Sequence, residues 1–191
     1  MPIGFDRETK VKMQVISADS DYVAARLLFM VGILPSAGRL ANHVLESYAK
    51  SFLWSVNRDE LIKEIMSWGG NHSHDAKRIL KLISEKCLSN SLDPMIRKHT
   101  NILKNFFAVY CMRFMDIFEK GQPTLSADIG VVDMHALDEI VSILRDKIVL
   151  QDVSWNQTPV FKILRGEDGG LGKGEREYLL RDNAHLGDKN S

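Results

Sequence analysis

The sequence predicts an all-α protein: a bundle of about five helices, up-and-down in order, followed by an irregular C-terminal extension. Apolar residues recur at steps of three and four, not two, along most of residues 1–151. Four of the five prolines, at 35, 94, 123 and 159, divide the chain into segments that lack prolonged strand patterns. With 191 residues, 45% hydrophobic and 26% charged, the chain is long enough to bury a core and too apolar to be wholly disordered. Val11 to Ile16 and Val160 to Leu164 are the short strand candidates.

Ser20 and Asp21 can cap a first helix that starts near Tyr22. Tyr22 to Leu34 is apolar almost all round, which predicts a central, buried helix. Pro35 suits the first turn of the next helix, where its missing N–H costs nothing. That second helix has the clearest period, with Leu40, Ala41, Val44, Leu45, Tyr48, Ala49, Phe52, Leu53 and Val56 on one face and Arg39, His43, Glu46 and Lys50 on the other. Leu61 to Trp68 reads as a short helical turn ended by Gly69-Gly70. Ser73 or Asp75 can cap a third main helix carrying Ala76, Ile79, Leu80 and Ile83.

Asp93-Pro94 is a strong start signal, Asp93 as cap and Pro94 in the first turn. One long helix is expected after it, with Ile96, Leu103, Phe107, Tyr110, Phe114 and Ile117 inward and Gly121 as its stop. Gln122 to Val132 reads as a loop, and Asp133 as the next cap, with Val132 stapled onto Leu137. Leu137, Ile140, Val141, Leu144 and Ile148 form that helix's inner face, and Lys147 suits its negative C-terminal end. The expected core includes Leu28, Leu45, Tyr48, Phe52, Ile79, Leu103, Phe107, Leu144 and Ile148.

The boundary falls near residue 151, separating a helical bundle, 1–151, from a Gly-rich, partly flexible extension, 152–191. Leu171, Leu179 and Leu180 are its apolar anchors, and Glu175 to Arg181 can form one short helix. The run from Gly166 to Gly174 does not fit a phosphate-binding loop: Glu167 stands where the earlier glycine is needed, and Gly174 replaces the Ser or Thr that contacts magnesium.

The 25 basic and 25 acidic side chains cancel, so no global positive field draws the chain to nucleic acid. Cys87 and Cys111 are too few for a disulfide framework and read as buried thiols. The N-terminus has no apolar signal core, and the longest charge-free apolar stretch, Leu27 to Gly38, falls short of the roughly 20 residues of a membrane span. A cytoplasmic protein with no membrane partner is expected.

The order of the pieces resembles the HEPN family (higher eukaryotes and prokaryotes nucleotide-binding) over about residues 18–150. Asp21-Tyr22-Val23-Ala24-Ala25-Arg26-Leu27-Leu28 leads one helix and Ala41-Asn42-His43-Val44-Leu45-Glu46-Ser47-Tyr48-Ala49-Lys50 follows in the next. His74-Asp75 opens the helix of Ile79, Leu80 and Ile83, and Tyr110 to Asp116 resembles the aromatic end of the family's long helix. The resemblance implies a bundle of four or five helices and a homodimer. It also implies a place beside a nucleotidyltransferase or an antitoxin partner, with a nucleotide or RNA as ligand. The family's ribonucleases carry Arg and His with four to six residues between them. Here Arg39 to His43 and Arg181 to His185 have three between them, and Arg97 to His99 has one. A non-catalytic binding or partner module is therefore expected; the alternatives are a ribonuclease toxin with a non-standard Arg181/His185 pair, and a helical regulatory protein with no nucleotide role.

The candidate ligand residues are His43, Glu46, Lys50 and Arg113. Lys50 can hold a phosphate while Glu46 orients a hydroxyl; the same stripe can equally be a solvated or dimer-facing surface with an i,i+4 pair. Arg113 closes the aromatic run of Phe106, Phe107, Tyr110 and Phe114, which can stack a base or simply fill a core. His72, His74 and Asp75 are the metal candidates, or else loop and cap residues, because a metal needs three or four converging ligands. No cofactor is expected.

Overall fold

The computed structural model describes residues 6–87, 92–111, 129–148, 162 and 172–183. Every regular element among them is helical. They are α1 (Arg7–Met30), α2 (Leu34–Ser55), α3 (Asp59–Ser67), a 3-10 turn (Gly70–His74), α4 (Ala76–Lys86), α5 (Asp93–Lys98), α6 (Thr100–Cys111), α7 (Val131–Lys147) and α8 (Lys173–Leu179). Among the described residues, no helix is long and apolar enough to cross a membrane.

The hub is α2, not the first helix. It packs against α1, α6, α7, α4 and α3, and from Ala41 to Leu53 every residue except His43 is buried. Pro35 lies in its first turn as expected. Gly38 is there for close approach: a Cβ at that position would lie 2.2 Å from the Ile129 side chain.

The first helix departs most from its sequence reading. Asp6 caps α1, accepting from the Thr9 backbone N–H at 2.8 Å, and the helix runs straight through Ser20 and Asp21. The stripe Val11, Val15, Ala18, Tyr22, Ala25 and Phe29 is continuous and buried, so the period never breaks. The strand candidate Val11 to Ile16 is thus helical. The Ser20 hydroxyl donates back to the Ile16 carbonyl at 3.0 Å instead of capping. The outer face of α1 is open, with Leu27 and Val31 exposed.

Further on, Asp75 caps α4 through the Arg78 N–H at 3.1 Å. The single helix expected after Pro94 is two, because the chain turns at His99, whose Nε2 lies 2.9 Å from Glu139 on α7. Asp93 is the first residue of α5 and not its cap: its carboxylate accepts from Ser84 on α4 in place of the helix's own N–H groups. Asp133 is not the cap of α7. The helix starts two residues earlier at Val131, and the Asp133 carboxylate reaches back to the Gly130 N–H at 2.6 Å. Val132 is 71% exposed and staples nothing. The inner face of α7 is as expected.

The core contains Leu45, Tyr48, Phe52, Ile79, Leu103, Leu144 and Ile148. Two expected members are only half-buried. Leu28 gives way to Phe29, and Phe107 to Phe106; those two rings face each other at 6.4 Å between α1 and α6. Phe107 instead stacks on Tyr110 at 6.4 Å. Phe114, Ile117, Gly121, Val160–Leu164 apart from Lys162, and Leu171 lie outside the described residues.

The described part of the extension is anchored on α1. Leu179 is buried in the core, and Leu180 packs on it. Arg26, 2% exposed, donates Nε to the Leu179 carbonyl and Nη2 to the Arg181 carbonyl, each at 2.9 Å. Its Nη1 pairs with Asp138 on α7. Tyr22 donates to the other Asp138 oxygen at 2.5 Å and accepts from Asn183 at 2.9 Å. One α-helical turn earlier, Asp19 receives Arg145 through Nε at 3.0 Å and Nη2 at 2.8 Å, together with the Tyr48 hydroxyl.

Candidate functional site

The polar face of α2 splits into two parts according to what covers it. Toward its N-terminal end, the Arg39 guanidinium stays local, bonding the Pro35 carbonyl at 3.3 Å and the Ser36 hydroxyl at 3.2 Å. His43 is exposed and faces α1, with Nδ1 3.0 Å from Asp21. Glu46 and Lys50, one and two turns on, are buried beneath the 3-10 turn and its neighbours. The structure thus joins Glu46 to Lys50 and leaves His43 outside the cluster.

The 3-10 turn brings in the third member. Gly69 and Gly70 have φ of 68° and 50°, a left-handed backbone that favours glycine. The Ser73 hydroxyl closes the turn on the Gly70 carbonyl at 3.1 Å. The Arg78 guanidinium lies 4.0 Å over the Trp68 ring, joining α4 to the end of α3. His74 is thereby held with Nδ1 2.9 Å from Glu46 Oε1, the same oxygen that receives Lys50 Nζ at 2.6 Å. Asn42, one turn before Glu46, donates Nδ2 to the His74 carbonyl at 2.8 Å. The Tyr110 ring flanks the imidazole with centroids 5.7 Å apart.

This cluster is incompletely satisfied. Among the described residues, the buried side-chain polar atoms with no partner are Asn42 Oδ1, Glu46 Oε2 and Ser51 Oγ, all on α2. A buried acceptor without a donor costs on the order of 1–3 kcal/mol. Two such acceptors one turn apart, on residues that both bond His74, make up a polar slot between α2 and the 3-10 turn, and the His74 side chain is 39% exposed. The slot can accept N–H or O–H donors from a bound group, while the Lys50 ammonium balances the Glu46 charge.

The other expected residues fall elsewhere. His72 is exposed and Asp75 serves as the α4 cap, so the metal candidates separate. Among the described residues, no three His, Cys, Asp or Glu groups converge as a metal site would need. The Arg181 carbonyl is held by Arg26, and its guanidinium lies 5.8 Å from the Tyr178 ring centroid. His185 and Arg113 lie outside the described residues.

Sequence reasoning missed Asn42 and did not connect His74 with Glu46. A signal existed for the first: Asn42, Glu46 and Lys50 recur at steps of four on a helix otherwise rich in apolar residues. At the far end of α2, Phe52, Val56, Arg58, Cys87 and Lys147 line a cleft of about 290 Å³. Arg58 there is bonded to Glu60, and burial pushes the Cys87 thiol up, away from its reactive thiolate form. The chain matches no family model, and comparison with curated proteins and with solved structures finds no match.

Proposed function

We propose that this chain is a non-catalytic helical binding or partner module of HEPN type, taking a small ligand at the slot between α2 and the 3-10 turn. The observation that carries the reading is the pair of buried, unpartnered acceptors, Glu46 Oε2 and Asn42 Oδ1, beside half-exposed His74. Such acceptors select a ligand edge bearing adjacent N–H or O–H donors, as nucleobases and ribose hydroxyls do. Tyr110 flanks the imidazole, Phe107 stacks on Tyr110, and the two rings offer a surface for a base to stack on. The resemblance over about residues 18–150 makes a nucleotide the first ligand to try. It also makes a homodimer, with a nucleotidyltransferase or antitoxin as partner protein, the assembly to expect.

Calorimetric titration with the four nucleoside monophosphates tests this. One of them is expected to bind, and His74→Ala to weaken it by about tenfold, the worth of one hydrogen bond to a charged group. No heat from any of the four overturns the nucleotide reading. The purified protein is also expected to leave single-stranded RNA intact. Metal-independent cleavage that disappears in His185→Ala would replace the binding reading with the ribonuclease one.

A further inference from the structure

The outward face of α1 is a long apolar strip on which, among the described residues, no other helix packs. Met13 is 54% exposed, Ile16 40%, Leu27 44% and Val31 52%. These residues follow helical steps of three and four along one side of the helix, and Ser20 and Ala24 fill the interval between them. No charged residue shares this strip from Met13 to Val31: Asp19 and Arg26 turn inward, and Asp21 sits to the side, bonded to His43. A surface helix ordinarily places its charges on such a face. The Ser20 hydroxyl is already spent on the Ile16 carbonyl at 3.0 Å, so the middle of the strip needs no water.

We propose that this strip is the homodimer interface, occupied by the α1 of a second copy running antiparallel about a two-fold axis at Ser20. The proposal rests on the homodimer expected above and assigns its surface. The strip fits its own reverse. With Ser20 against Ser20, Met13 falls opposite the second copy's Leu27, and Ile16 opposite the second copy's Ala24, a large side chain over a small one. A two-fold contact requires this kind of self-complementarity. Charge selects the antiparallel direction. The last turn of α1 has no basic residue to offset its negative end. An antiparallel pair places each exposed Lys10 beside the second copy's Met30 at that end, whereas a parallel pair sets Lys10 against Lys10. The seam spans most of a helix of 24 residues, about 36 Å long.

Sedimentation at micromolar concentration, with charge-swap variants at the axis, tests the proposal. The wild type is expected to be a dimer. Ser20→Lys and Ser20→Asp are each expected to sediment as monomers with unchanged helical circular dichroism, because each places like charges face to face. Mixing the two is expected to restore a dimer. Met13→Cys mixed with Leu27→Cys is expected to cross-link on oxidation, and Met13→Cys alone is not. A wild-type monomer overturns both the homodimer and its surface. A dimer that persists in both Ser20 variants overturns the surface alone, and cross-linking of Met13→Cys with itself overturns the antiparallel direction.

Discussion

Two buried polar clusters lie along the bundle, and they differ in completion. In the cluster joining α1, α7 and the end of α8, Arg26 meets Asp138, two backbone carbonyls and, through Asp138, Tyr22 and Asn183; Asp19 meets Arg145 and Tyr48. No buried side-chain atom of that cluster lacks a partner. In the slot between α2 and the 3-10 turn, one Glu46 oxygen takes both Lys50 and His74 while the other takes nothing. Similar residue types therefore serve different ends. A closed, satisfied network ties distant helices together, and the one at Glu46 leaves buried acceptors without partners, which is what motivates the proposed ligand there.

Breaking the closed cluster gives the largest expected effect. Arg26→Leu strands a carboxylate and two carbonyls, and is expected to cost about 3–5 kcal/mol in chemical denaturation. A loss under about 1 kcal/mol would mean that the cluster does not hold the extension to α1. Leu45→Ala, at the centre of α2 and fully buried, is expected to cost about 2–5 kcal/mol, so the apolar hub and the polar tie have comparable weight. A loss under about 0.5 kcal/mol would refute its burial.

The alkaline limit sharpens the comparison. Burial, reinforced by Asp138 beside Tyr22 and Asp19 beside Tyr48, raises both phenols well above their ordinary value. A raised folded-state pKa means that the stabilisation is fully present below the unfolded value of about 10 and is lost as pH rises beyond it. Ultraviolet titration is expected to show Tyr22 and Tyr48 ionising together with unfolding. Ionisation of these two near pH 10 in a chain that stays folded would contradict their burial. The smallest stability effect belongs to the slot at Glu46: His74→Ala is expected to cost under about 1 kcal/mol, because its pairing is solvent-screened, while ligand binding falls. A cost as large as that of Arg26→Leu would make the slot a structural tie like the other.

What was legible in advance was local. The α2 stripe, Pro35 in its first turn, the Asp75 cap, the Asp93-Pro94 start and the inner face of α7 all depend on residues within a turn or two of one another. The errors came where a local signal had a distant answer. Ser20 and Asp21 resemble a helix start, yet Asp19 beside them turns inward to Arg145, 126 residues away, and the helix passes through unbroken. His99 ends α5 because Glu139 on α7 receives it. Glu46 and Lys50 were readable as a pair, but their burial beneath the 3-10 turn was not.

The sequence by itself determined the helical class, the hub helix's apolar face and the pairing of Glu46 with Lys50, since periodicity and i,i+4 spacing are properties of a single helix. Only the tertiary structure decided which polar residues are satisfied. It placed Asp138 against Arg26, carried His74 to Glu46, and left Met13, Ile16, Leu27 and Val31 uncovered. Whether a buried polar atom finds a partner, or an apolar face a neighbour, depends on groups brought together from far along the chain.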